Sequence, residues 1–297
     1  MKNEFLTMNG LDYATLARAV ETRGVGLHSG KVVRARLLPA VTPGFYFCRT
    51  DLPAAPQVPA SFQYVVGTTH ATTLQRGDAT VSTTEHLLAS LWTQGVTHCM
   101  VELDGPEVPI LDGSAIGWCQ LLQEAGLTPV EGREARPVFT LCKPVWFSEG
   151  DVSVLGLPHH ELRLSVAVDF PRAYVGRQTF DTVVSASEFV QEMAAARTFT
   201  LQEWIEPLRA AGLIQGGNLE NAVVLDENGP SSPWRFPDEI VRHKALDVVG
   251  DMALLFGENG GSLMAHLITV RSGHGAHRQW MGECLRQDAL VRKAATF

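Results

Sequence analysis

The stretch from Phe236 to Asp251, FPDEIVRHKALDVVGD, constrains this chain more than any other. Asp238 stands where an N-cap belongs, two acids open the first turn, and Val241, Ala245, Val248, Met252 and Leu255 recur at helical spacing. An amphipathic helix is predicted. On it His243, Asp247 and Asp251 are four apart, and each step of four drifts only ~40° around the axis, so one stripe carries an imidazole and two carboxylates. Such a stripe opposite an apolar face suits a metal ion. It also describes the commoner solvated His/Asp pair, which is mildly stabilising. The rest of the chain decides between them.

A chain of 297 residues is too long for one small core, so two domains are expected, 1–130 and 131–297. No segment approaches the ~18 continuous apolar residues of a membrane span. Met1 to Val20 carries Glu4 and Asp12 without an unbroken apolar run, so a signal peptide is not expected and the cytoplasm is. Cys48, Cys99, Cys119, Cys142 and Cys284 are odd in number, scattered and lack a C-x-x-C pair. That spacing argues against a disulfide framework and a thiolate zinc site, leaving His and carboxylate as metal ligands. The net charge of -8, with no basic run, disfavours nucleic acid as a partner. A local cluster of Lys or Arg could still take an anionic small substrate. With no coiled-coil or swap signal, a monomer is expected.

Along the chain, Thr15 to Leu38 reads as strand, turn, strand, with GVGLHSG at Gly24–Gly30 as the turn. Its spacing and the absence of a following helix favour a backbone turn over a phosphate cradle. Strands are expected around Phe45–Cys48 and Phe62–Val66, then a hairpin turning at Gln75–Asp78. In STTEHLLASL, Ser82 to Leu91, Ser82 and Glu85 match a capping box, and His86 follows in the first turn. Judged alone, both are ordinary helix-start residues. A strand at His98–Leu103 leads into the acidic, Pro/Gly-punctuated loop DGPEVPILDGS and a helix from Ala115 to Ala125, before a linker at Thr128–Pro137 containing Gly132. The second half repeats the order: strands at Val138–Phe147, Val152–Leu157 and Leu162–Phe170, helices from a Ser185/Glu188 capping box, a strand at Ala222–Leu225, the opening helix, a strand at Ser262–Val270 and a last helix from about Ala276 to Leu290. The fold class is α+β, two similar halves in which a sheet is layered against helices.

Four stretches taken together resemble one family: the bacterial zinc-dependent UDP-3-O-acyl-N-acetylglucosamine deacetylases, which act at the committed step of lipid A synthesis. They are Gly24–Gly30, Ser82–Leu91, Asp104–Ser114 and Phe236–Asp251, joined by ARTF at Ala196–Phe199 and SGH at Ser272–His274. They lie in family order and span about residues 15 to 290. The resemblance implies a metal site between the two domains, with His86, His243 and Asp247 as zinc ligands and Glu85 as general base. His274 is similar to the family's general acid, Asp251 to the carboxylate that orients it, and Thr198 to a hydroxyl that holds the oxyanion. Lys244 and Arg271 would face the substrate's diphosphate, Phe199 the sugar and Phe170 the uracil. Residues 200–217 correspond to an insert forming an apolar passage for the acyl chain.

The chemistry agrees with that assignment. Two imidazoles and one carboxylate leave a tetrahedral zinc an open position for water, as in catalytic sites, and the same set accommodates Fe2+. Two stretches depart from the family pattern: the general-acid motif commonly continues with an Asn a few residues on, whereas Gly275-Ala276-His277-Arg278 follows here, and His70 stands where an apolar or sulfur-containing residue is expected. His274 is preferred over His277 as the acid because it keeps the Ser-Gly-His context, and His277 is assigned to the last helix. His159-His160 reads as an exposed turn pair. The competing functions are a zinc amidohydrolase of this fold acting on another nucleotide sugar or amide, and a silent relative that binds without turnover. Retention of Glu85, His86, His243, Asp247 and His274 argues against the silent relative.

Overall fold

The computed structural model of the protein describes residues 12–131, 135–172 and 174–293. Glu4 of the N-terminal segment and Gly132 of the expected linker lie outside the described residues.

Two seven-stranded sheets divide the chain, one built from strands between Ala14 and Pro129, the other from strands between Val138 and Arg292. Their wiring is the same. In the first, His98–Leu103 pairs antiparallel with Val32–Pro39 and parallel with Gly44–Arg49 and, at Thr15, with Ala14–Leu16. Val20–Val25, Gln57–Pro59 and Leu127–Pro129 each add an antiparallel strand outside those three. In the second, Ser262–Val270 takes the central place, antiparallel to Val152–Pro158 and parallel to Leu162–Phe170 and Val138–Leu141. Val145–Glu149, Gly176–Val183 and Leu290–Arg292 complete it in the corresponding outer positions. The repeated order of elements in the sequence is therefore a repeated topology.

Alternation explains which face of each sheet is covered. In Val32–Pro39 the residues Val33, Ala35 and Leu37 are fully buried while Val32, Arg34 and Arg36 between them are exposed, the period of two expected of a strand with one wet face. Helices cover the other faces. Glu85–Thr93 and Glu239–Met252 pack directly on each other, and both are buried along nearly their whole length. Their closeness depends on Gly250: a Cβ there would lie 2.1 Å from the carbonyl oxygen of Glu85. Only a residue without a side chain permits that approach. No helix among the described residues is long and apolar enough to cross a membrane.

Some local expectations change. The segment Phe62–Tyr64 forms a single 3₁₀ turn before a short strand at Val65–Gly67, with Phe62 beneath the guanidinium of Arg278. The edge strand Gly176–Val183 carried no legible apolar alternation, because Phe180 is its only buried residue. The last helix runs from His274 to Arg286 and gives way to a strand at Leu290–Arg292. The hairpin at Gly77, the Gly26–Gly30 backbone turn and the Ser185 cap on the Glu188 amide form as read.

Candidate metal centre and active site

The helix Glu239–Met252 starts at Asp238, but the Asp238 side chain pairs with Arg242 and does not cap an amide. The helix start is fixed instead by Glu239. Its carboxylate accepts from the Arg197 guanidinium at 2.8 and 3.0 Å and from the backbone amides of Arg197 and Arg235 at 3.0 and 2.8 Å. A buried bidentate pair of this kind gives direction as well as energy. It ties the Ala196–Phe199 segment to the helix, and the Ala196 carbonyl then meets His243 Nδ1 at 3.1 Å. That bond leaves His243 Nε2 as the free lone pair, 3.6 Å from Asp247 Oδ1.

His86 arrives from the other half. Its Nε2 lies 3.8 Å from the same Asp247 oxygen, and the two imidazoles stand edge to face with ring centres 5.0 Å apart. These separations are too long for hydrogen bonds and are the sort of spacing two ligands take around one ion with bonds of about 2.0–2.1 Å. His86, His243 and Asp247 offer ligand atoms within 4.8 Å of one another, all buried. Burial, reinforced by the neighbouring His243, pushes the His86 imidazole down to about 3, and burial also lowers His243. Both are therefore neutral and able to offer a lone pair to a metal. Burial opposes charge on Asp247, but Lys244, with Nζ at 2.8 Å from Oδ2, and the surrounding imidazoles hold it ionised, well below the usual carboxylate range. The donor set fits a divalent metal.

Glu85 and His274 face each other beside this cluster, Oε1 to Nε2 at 3.8 Å. The Ser82/Glu85 capping box does not form. Thr83 adopts a left-handed φ of 57°, Ser82 bonds the Thr73 hydroxyl, and Glu85 turns inward to accept from the Thr72 amide at 3.2 Å. Burial, with Asp247 and Asp251 nearby, raises the Glu85 carboxyl to about 7. Burial would lower His274, but the Asp251 and Glu85 carboxylates override it and raise the imidazole to about 10. Its Nδ1 donates to Asp251 Oδ2 at 2.7 Å.

A cavity of about 1000 Å³ opens above these groups. Thr198, Lys244, Phe199, Phe170 and Arg271 all line it. Thr198 is held by backbone bonds to Gly113 and Val223 at 2.7 and 2.9 Å. Phe170 and Phe199 meet edge to face at 5.1 Å, and Phe199 lies between His243 and the Lys244 ammonium, which is 5.9 Å from its ring centre. Arg271 sits at the lip with a left-handed φ of 51°, nearly half exposed. The helix Gln202–Ala210 and the turn after it contribute Trp204, Ile205, Leu208 and Ile214 to an apolar extension.

Two residues of the site, Thr72 and Glu107, were not singled out from the sequence, and a third, His277, was placed on the last helix without a role. Thr72 donates its hydroxyl to Asp251 Oδ1 at 2.6 Å as well as its amide to Glu85. Glu107 gathers the backbone amides of His28 and Ser29 and the Thr83 hydroxyl, pinning the Gly24–Gly30 turn to the start of the Glu85 helix. His277 lies on the last helix, as expected, but buried, with Nδ1 2.6 Å from Asp251 Oδ2. A signal for His277 was present: it follows His274 by three, which puts both on one helical face. His159 and His160 stack on each other at the surface, away from the cavity.

A sequence model of the family described as LpxC, UDP-3-O-acyl N-acetylglycosamine deacetylase, matches residues 13–286. The chain is 44% identical over 267 residues to the UDP-3-O-acyl-N-acetylglucosamine deacetylase of Thermosynechococcus vestitus, covering 89% of this chain and 91% of the relative. The enzyme of that name from Nostoc sp. is 41% identical over 270 residues, covering 89% and 95%, and that from Solibacter usitatus 41% over 286 residues, covering 95% and 94%. The extent of these matches, which take in every group around the cavity, places this chain in the UDP-3-O-acyl-N-acetylglucosamine deacetylase family.

Proposed function

We propose that this chain hydrolyses the N-acetyl group of UDP-3-O-(3-hydroxyacyl)-N-acetylglucosamine, releasing acetate, at the committed step of lipid A biosynthesis, with His86, His243 and Asp247 holding a zinc ion. The observation that carries the reading is the convergence of those three buried side chains beside a facing Glu85–His274 pair, at the base of a cavity with an apolar extension. Zinc bound by two imidazoles and a carboxylate supplies positive charge that acidifies water and polarises the acetamide carbonyl. The donor set also suits Fe2+.

The chain's own residues handle the protons and the charge. Glu85, raised toward neutrality by burial, is matched to take a proton from the attacking water. The Thr198 hydroxyl donates to the oxyanion that develops on the carbonyl oxygen. His274, kept protonated by Asp251, delivers its Nε2 proton to the departing amine, so that acetate and the free amine separate. Lys244 and Arg271 bind the diphosphate, Phe199 the sugar and Phe170 the uracil, while residues 200–217 form the passage for the acyl chain. In the same reading residues 1–130 and 131–297 are the two domains. The protein works in the cytoplasm as a monomer without nucleic acid, in keeping with its net charge of -8.

The test is acetate release by the zinc-reconstituted protein from the acylated substrate and from plain UDP-N-acetylglucosamine. The expected result is turnover that strongly prefers the acylated substrate. Turnover of neither by zinc-loaded protein would overturn the assignment, and equal turnover of both would overturn the passage.

A further inference from the structure

Asp251 is the hub of a buried hydrogen-bond network that extends beyond the groups given roles above. Its Oδ1 accepts from the Thr72 hydroxyl at 2.6 Å. Its Oδ2 meets two imidazoles, His274 Nδ1 at 2.7 Å and His277 Nδ1 at 2.6 Å, whose rings stand nearly perpendicular with centres 6.2 Å apart. The second nitrogen of His277, Nε2, lies 3.0 Å from the Ser272 hydroxyl. His277 is 1% exposed and Asp251 2%.

We propose that His277 is a positioning residue for the deacetylation, fixing Asp251 in the orientation from which it holds His274 against Glu85. The inference rests on the reading of His274 as the proton donor. A contact of 2.6 Å from an imidazole nitrogen to a carboxylate oxygen is a hydrogen bond only if that nitrogen carries the proton. With Nδ1 donating to Asp251, the far nitrogen Nε2 is held by the Ser272 hydroxyl on the other side of the ring. Ser272 thus braces the His277 ring from its far side, and His277 sets Asp251.

The arrangement also explains why one carboxylate holds two imidazoles in different roles. His274 points its far nitrogen at Glu85 and the cavity. His277 points its far nitrogen at Ser272, in the same turn that carries His274 into place. The short segment Ser272–His277 therefore closes on itself through Asp251. Removing the His277 donor uncovers one lone pair of Oδ2 and frees the carboxylate to rotate about the Thr72 contact. The consequence falls on proton delivery and not on substrate affinity, since the side-chain hydrogen bonds of His277 go to Asp251 and Ser272, and it does not line the cavity.

The experiment compares kcat, KM and bound metal in the zinc-loaded wild type, His277→Leu, His277→Asn and Ser272→Ala. An Asn amide reaches the place of Nδ1 and can donate to Asp251, whereas Leu cannot. For His277→Leu the expected result is a fall in kcat of about tenfold to a hundredfold with KM changed less than about twofold and metal content kept. His277→Asn should return kcat to within about threefold of wild type, and Ser272→Ala should lower it about twofold to fivefold. Equal impairment of the Leu and Asn variants, or a loss that appears in KM, would overturn the proposal. If His277→Leu does not fold, Ser272→Ala and His277→Asn decide: an unchanged kcat in Ser272→Ala, or a fall of tenfold or more in His277→Asn, overturns it. Absence of turnover in the wild type would instead defeat the deacetylase reading on which it rests.

Discussion

Nε2 of His274 faces Oε1 of Glu85 across 3.8 Å, one residue from each half of the chain, with the pair set beside the His86–His243–Asp247 cluster. With Glu85 raised to about 7 and His274 to about 10, a window lies between them in which Glu85 is ionised and His274 protonated, as the roles proposed for them require. Glu85 must be ionised to accept a proton and His274 protonated to give one. The log of kcat/KM should therefore rise along an acid limb lying above the ordinary glutamate value of 4.5 and at or below about 7, since a bound cation draws the limb down from the raised value. It should fall along an alkaline limb approaching about 10, where His274 loses its proton. Glu85→Gln should cost about 10²–10⁴ in kcat and remove the acid limb. A flat profile between pH 5 and 10, with Glu85→Gln fully active, would contradict these roles.

Gly250 sets the distance between the two helices that carry His86, His243 and Asp247. An added Cβ would meet Glu85 backbone atoms at 2.1, 2.7 and 2.9 Å, and backbone cannot yield as the end of a flexible side chain can. Gly250→Ala should destabilise the protein by about 1–3 kcal/mol, the usual cost of overpacking, and should weaken metal binding by parting His86 from Asp247. Thermal unfolding and metal content measured on the same preparation check both effects.

The buried Arg197–Glu239 pair governs stability at low pH. Burial would raise the Glu239 carboxyl, but Arg197 and the amides of Arg235 and Arg197 bring it below its ordinary 4.5. A lowered folded-state value means that the stabilisation is present above the unfolded pKa and is lost as pH falls through the folded one. Glu239→Gln leaves the buried Arg197 without its counter-charge, so near neutral pH it should lose about 3–5 kcal/mol. That difference should narrow as the pH drops below about 4. Urea unfolding of both proteins across this range measures it, and a constant difference would contradict the account.

The apolar extension beside Ile205 should select for the acyl chain. Ile205→Trp fills the space between Trp204 and Leu208 and should lower kcat/KM for the acylated substrate about tenfold or more, at roughly 0.8 kcal/mol for each methylene denied burial. Plain UDP-N-acetylglucosamine should be unaffected. Steady-state kinetics with both substrates tests this, and an equal loss for both would place the acyl chain elsewhere.

What the sequence made legible follows its physics. Helical spacing alone aligned His243 with Asp247, because a period of 3.6 fixes where side chains point. It could not join His86 to them, since 157 residues separate His86 from His243 and no local rule spans that gap; the family resemblance supplied the link. The capping-box pattern at Ser82 and Glu85 misled because the left-handed Thr83 redirects the chain, a tertiary demand that local propensity does not register. Thr72 stayed hidden for the opposite reason, since nothing marks a threonine until its carboxylate partner is in place, and His277 was legible as a helical histidine but not as a second partner of Asp251. The duplicated sheets were visible as a repeated order of elements, while the edge strand Gly176–Val183 was not, having Phe180 as its only buried residue.

The most direct measurement is acetate release from UDP-3-O-(3-hydroxyacyl)-N-acetylglucosamine as zinc is added back to metal-free protein, with bound zinc determined at each point and Asp247→Ala run beside the wild type. Turnover should rise in proportion to bound zinc and level off at one ion per chain, while Asp247→Ala should neither hold the ion tightly nor release acetate. Full activity in metal-free protein, or a stoichiometrically loaded wild type that releases no acetate, would contradict the account.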